Sequence, residues 1–218
     1  MLTFCQIRPN RSCILMTLKE TILKEALAIF KRQGLGSLTE AGIMQQLGIS
    51  QSTFREMFAG LDDMVNQVTA YDARVQEARH QQLLAQSANA VEDIMILLKD
   101  GIEELKDTNP VLFAQLQERY PVAWETAQSH LHAYSYPQIS GILNKGVLEG
   151  NFRRDINIQL VTKIIMEQLL MMLNPVVFPP ARYNQAEVFR SIYLSYIRGI
   201  CTDAGGRLAE AFFSRNLL

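Results

Sequence analysis

Along most of this chain apolar residues recur three and four positions apart, the spacing of helices with one buried face. The first stripe is Ile22, Leu23, Ala26, Leu27 and Phe30, ended by Gly34 and Gly36. Thr17-Leu-Lys-Glu20 precedes it as a capping box, in which hydroxyl and carboxylate each satisfy an N–H at the helix start. The pattern predicts a second helix over 39–47, closed by Gly48, and a third from Ser50 through Phe58. A fourth, long helix starts near Asp62 and Asp63, whose charges favour a helix N-terminus, and runs to about Gln86.

Further helices are expected over 90–106, 110–119 and 121–148, with Pro110 and Pro121 as starters. Pro137 and Gly141 are expected to kink or break the last of these. Helices over 156–174 and 184–204 follow, separated by "NPVVFPPARYN", whose prolines forbid continuation. No strand alternation stands out. The reading is all-α, with about nine helices and no internal repeat.

The connection between the second and third helices is very short. "QQLGISQSTFREMF", residues 45–58, stops one helix on a Gly and starts the next almost at once. That is the helix-turn-helix arrangement, whose second helix enters the DNA major groove. Gly48 supplies the permissive backbone of the turn, Ile49 anchors it, and Ser50 is the N-cap of the third helix. Gln51, Ser52 and Thr53 then project from its first turn, where uncharged hydrogen-bonding side chains reach base edges or phosphates.

Residues 18–65 resemble the TetR family of bacterial transcriptional regulators. The first-helix matches are Ile22-Leu23, Ala26, Phe30 and Gly34. Thr39, Ile43, Leu47-Gly48-Ile49-Ser50, Thr53-Phe54 and Phe58 then approximate the family run T-x-x-x-I-A-x-x-x-G-[VI]-S-x-x-T-[LVF]-Y-x-x-F. The resemblance implies a DNA-binding unit at 17–61 and a larger effector-binding and dimerisation domain at 62–218. Residues 1–16 lie outside the helical pattern and are expected as a flexible arm or an upstream extension. It implies a repressor that binds a palindromic double-stranded operator as a homodimer and is released by a small-molecule effector. The DNA-binding set is Thr39, Ser50, Gln51, Ser52, Thr53 and Arg55. Arg55 stands where the family has a phosphate-contacting Tyr, Met44 replaces a common Ala, and Leu61 stands where a Lys is usual.

In the larger domain, Phe189, Ile192, Tyr193, Tyr196, Ile197 and Ile200 form one stripe, whereas 156–174 is apolar on more than one side. A helix apolar most of the way round is buried on most sides. It is either a central core helix or, as the resemblance implies, part of a four-helix bundle with the symmetry mate. The interface set is Ile165, Leu169, Met172, Phe189, Tyr193, Tyr196 and Ile197. Met95, Phe113, Tyr120, Trp124, Tyr134 and Met166 are the candidate lining of an effector pocket. The expectation is one largely apolar cavity of about 300 Å³ or more between the helices carrying Phe113, Trp124 and Met166.

Composition narrows this picture without changing it. The chain of 218 residues is 48% hydrophobic and 20% charged, enough to bury a core. A net charge of −1 means that any nucleic-acid site is local. In residues 17–66, Lys19, Lys24, Lys31, Arg32 and Arg55 face Glu20, Glu25, Glu40, Glu56, Asp62 and Asp63. Cys5, Cys13 and Cys201 have neither disulfide-framework nor zinc spacing, which fits a reducing cytoplasm. Arg8, Pro9 and Arg11 interrupt any signal-peptide core, and the apolar run 160–177 carries too many polar groups to span a membrane.

His130 and His132 are two apart and point to different sides of a helix, so no metal is expected. Nor is a cofactor or an enzyme activity. Two alternatives stay open: a dimeric helical protein that has lost DNA recognition, and a helical-bundle enzyme using Glu103, Glu104 or Glu167.

Overall fold

The computed structural model describes residues 17–216, without the side chains of 169, 170, 173, 185, 213 and 216. The segment 1–16, expected as an arm or extension, lies outside the described residues. The N-terminal helices are α1 (Leu18–Gln33), α2 (Glu40–Leu47), α3 (Gln51–Met57) and α4 (Leu61–Leu84). Then come α5 (Ala90–Lys106), α6 (Leu112–Arg119), α7 (Pro121–His130) and α8 (Tyr136–Leu148). The series closes with α9 (Ile158–Leu173), α10 (Gln185–Ile200) and α11 (Asp203–Asn216). There is no strand among the described residues, only an isolated bridge between Phe152 and Cys201. The all-α reading is borne out.

The caps sit where the local sequence puts them. Thr17 and Glu20 form the capping box on α1. Thr39 and Ser50 accept from the N–H groups of Gly42 and Thr53, and start α2 and α3. Gly48 adopts a left-handed φ of 63°, which ends α2 in a turn that a residue with a Cβ enters only under strain. The break expected near Pro137 takes the form of a π-helical turn, Leu131–Ser135, joining α7 to α8. The Tyr136 N–H reaches back five residues to the Leu131 carbonyl just before the proline, which has no N–H to give.

The expected helix 184–204 instead ends at Ile200, and a separate helix, α11, follows. A Cβ at position 205 would lie 2.0 Å from the Asn151 carbonyl oxygen, so glycine there allows close packing of α11. Thr202 caps α11 by accepting from the Gly205 N–H at 3.2 Å.

Two hydrophobic clusters form the interior. One gathers α1–α3 and the start of α4 (Ile22, Phe30, Ile43, Phe54, Phe58, Val65), and it also takes in Leu112, Leu116, Tyr120 and Ala123 from α6 and α7. The other joins α5 with α8–α11. Helices α6 and α7 therefore belong in part to the core of the N-terminal unit.

Candidate nucleic-acid interface and ligand cavity

On helix α3, the second helix of the helix-turn-helix, Phe54 is fully buried while Gln51 and Ser52 are exposed on its first turn. Thr39 and Ser50 are exposed too, and both are committed to capping. The Ser50 hydroxyl also lies 2.8 Å from the hydroxyls of Ser52 and Thr53, so these three side chains hold one another. Gln51 is the side chain of this turn that stands clear of that cluster.

Arg55 is half-exposed, and its guanidinium is engaged within the unit. One nitrogen lies 2.6 Å from Glu40 Oε1 on α2, and another donates to the Ala59 carbonyl at 2.9 Å. The geometry ties the end of α3 back to the start of α2. Lys31, counted among the bases of this unit, points inward instead: its Nζ is 2.9 Å from Asp72 Oδ1 and 2.7 Å from Glu104 Oε1.

Helix α6 grips the loop that follows α1. Gln115 Oε1 accepts from the N–H of Leu35 at 2.6 Å and of Gly36 at 3.0 Å. Arg119 donates to the carbonyls of the same two residues, and the Asn109 N–H donates to the Lys31 carbonyl at 2.6 Å. Leu35 itself is fully buried. No sequence signal marks Gln115 and Arg119 for this work, because their partners lie about eighty residues upstream.

Behind that grip lies a cavity of about 210 Å³. Leu27, Phe30, Lys31 and Leu35 of the N-terminal unit line it, facing Phe113, Leu116 and Trp124 of α6 and α7. A second cavity of about 160 Å³ lies between Gln76, His80, Leu98, Met166 and Tyr193. Both share Gln76, Gly101, Leu131 and Phe189 as walls. Neither of these two cavities reaches the expected volume of about 300 Å³. Phe189 stands at the wall, close enough to Gly101 that a Cβ there would lie 3.1 Å from its ring.

Of the expected lining, Phe113 and Trp124 face the first cavity and Met166 the second. Met95 is in the core of the larger cluster and Tyr120 in that of the smaller. Tyr134 stacks against His130, ring centres 5.2 Å apart, and lies 6.3 Å from His80.

Five of the seven residues of the expected interface set are buried within the protomer. Ile165, Met172, Phe189, Tyr193 and Ile197 are buried within a single chain, where they pack on α5 and α8. Tyr193 donates to the Ile165 carbonyl at 2.6 Å. Tyr196 is half-buried, and the side chain of Leu169 lies outside the described residues. The outward face of α9 carries Leu160, Ile164 and Met171 instead.

Among the described residues no three His, Cys, Asp or Glu are grouped to hold a metal ion, and no helix is long and apolar enough to cross a membrane.

The fold of this chain is that of the TetR-family transcriptional regulators. A TetR-family regulator from Agrobacterium tumefaciens superposes with a TM-score of 0.67 at 17% identity, over 84% of this chain and 98% of that one. The regulator FadR from Bacillus subtilis, solved in complex with stearoyl-CoA, gives 0.65 at 16%, over 82% and 97%. In sequence, the chain is 24% identical over 149 residues to the HTH-type transcriptional repressor KstR2 of Mycobacterium tuberculosis, 67% of this chain and 74% of that protein. No protein-family model matches it. The resemblance to the TetR family is borne out by these comparisons, and the proteins they return are transcriptional regulators.

Proposed function

We propose that this protein is a cytoplasmic, dimeric transcriptional repressor that binds a palindromic operator and leaves it when a small, largely apolar effector enters the larger domain. The observation that carries the reading is the α2–turn–α3 unit, with Phe54 anchored below and Gln51 and Ser52 exposed on the first turn of α3. Residues 17–61 do the reading and residues 62–218 bind the effector and dimerise. Gln51 is the base-reading side chain, since an amide pairs with the adenine edge. Thr39, Ser50, Ser52 and Thr53 shape the turn against the backbone. Arg55 positions α3 through Glu40 and Ala59.

The effector half of the reading is supported by the first cavity, whose walls come from both parts of the chain. A ligand there touches α1 and presses on α6, which grips the Leu35–Gly36 backbone. It shifts the balance toward a dimer whose reading helices no longer match successive major grooves. FadR with its stearoyl-CoA, and a KstR2 named for ketosteroid regulation, lend support to an apolar effector. Dimerisation uses the outward faces of α9 and α10, where Leu160 is 56% and Met171 40% exposed.

The test is protection of a palindrome in the DNA flanking the gene by purified protein, with half-sites about 34–36 Å apart. Sedimentation at micromolar concentration should give twice the chain mass, and Leu160→Glu with Met171→Glu should give monomer. A second reading, a dimer without DNA recognition, draws on the engagement of Arg55 by Glu40 and of Lys31 by Asp72 and Glu104. Protein that dimerises yet protects no flanking DNA would favour it.

A further inference from the structure

The first cavity is apolar over most of its wall, but one end is charged. There Lys31 bridges Asp72 and Glu104, and all three front the cavity. Behind them Arg79 pairs with the other oxygen of Glu104 and with Asp100, whose Oδ2 lies 3.0 Å away. His80 Nε2 stands 3.2 Å from the same oxygen of Asp100. Three carboxylates thus share two permanent cations, Lys31 and Arg79, and one imidazole.

The compensation is not spread evenly. Glu104 lies between Lys31 and Arg79; burial pushes its carboxyl up, but the two cations outweigh burial and hold it below the ordinary range. Asp72 shares Lys31 with Glu104. Burial dominates there, and its carboxyl sits above the ordinary range. Of the two carboxylates at the cavity wall, Glu104 has both Lys31 and Arg79 beside it, whereas Asp72 has Lys31, which it shares with Glu104.

Resting on the reading of this cavity as the effector site, we infer that the effector is a lipophilic organic cation. Its ammonium or amidinium head sits on Asp72, and its apolar body lies between Phe113, Leu116 and Trp124. Buried charge short of counterions is costly, and a positive head gives Asp72 a second partner, while a carboxylate or phosphate head brings a further negative charge against the three carboxylates. A longer body runs on past the Phe189 ring into the second cavity, since both cavities share that wall.

Three matched probes decide it: decylammonium, decanol and decanoate, below their micellar concentrations at pH 7. The readout is the fluorescence of Trp124, the one tryptophan of the chain and a wall of the cavity. Decylammonium should bind at least about tenfold more tightly than decanol, which corresponds to about 1.4 kcal/mol, with decanoate weakest. Asp72→Asn should remove the ammonium's advantage over decanol, and Ala73→Phe, which fills the cavity, should abolish the response to all three.

Decanoate equal to or tighter than decylammonium in the wild-type protein overturns the inference, with no variant needed. So does an ammonium preference that survives in folded Asp72→Asn. If decanol binds as tightly as decylammonium and Ala73→Phe blocks both, the cation falls while the effector cavity stands. If no probe perturbs Trp124, or Ala73→Phe changes nothing, both fall.

Discussion

The α2–α3 turn and the junction between α1, α4, α5 and α6 spend their polar side chains in opposite ways. In the turn, Thr39 and Ser50 bond to N–H groups three residues ahead, and the rest of the surface is wet. At the junction, Lys31 reaches Asp72 and Glu104, and Gln115 reaches back to Leu35 and Gly36. The first arrangement shapes one small element. The second ties the N-terminal unit to the cavity, so its loss is felt in both. Local polar bonds thus set the geometry of the turn, whereas long-range bonds set its coupling to the rest of the molecule.

The largest effect is expected at the junction. Lys31→Ala leaves Asp72 and Glu104 facing each other across a largely buried site and should cost about 3 kcal/mol in urea unfolding. Acid sharpens the point. The Glu104 carboxyl is held below its ordinary 4.5, so its ionised form stabilises the fold above that pH, and the contribution is lost as pH falls through the lowered folded value. Asp72 runs the other way, its carboxyl being raised by burial from 3.8. Lys31, raised from 10.5 because its two carboxylates outweigh burial, contributes below that pH and loses the contribution as pH rises through its folded value. The stability advantage of wild-type protein over Glu104→Gln should therefore shrink below about pH 4.5; an advantage constant from neutral to acid pH would break this account of the cluster.

Gln115→Ala comes next. It leaves the N–H of buried Leu35 without its acceptor and should cost about 1–3 kcal/mol. If α6 carries the coupling, this variant should also bind DNA while responding less to ligand. Full ligand response with the stability loss alone would reduce Gln115 to a structural role.

Ser50→Ala removes the cap of α3 and should cost about 1 kcal/mol. Ligand affinity should not change, because the turn is not part of the cavity wall. The smallest effect is Arg55→Ala. Its pair with Glu40 is half-exposed and should contribute under about 1 kcal/mol to stability. DNA affinity should fall severalfold across operator variants with an unchanged salt slope. A slope flatter by about one phosphate contact would show that Arg55 leaves Glu40 for DNA.

Much of the molecule is legible in the residues alone, and the legible part has one physical cause. Apolar spacing and caps act within three or four residues, so Thr17 with Glu20, Thr39, Gly48 and Ser50 delimit the first three helices without help from elsewhere. The helix-turn-helix and the all-α class follow from them. Which faces meet is another matter, because every amphipathic helix offers a stripe of similar chemistry. Only packing decided that Phe189 and Tyr193 are spent inside the protomer and that Phe189 divides a cavity. It also decided that Arg55 finds Glu40, and that Gly146 and Gly205 make room for Phe152 and Asn151. Each of those partners is set by the approach of distant segments, which the hydrophobic spacing of one helix does not encode.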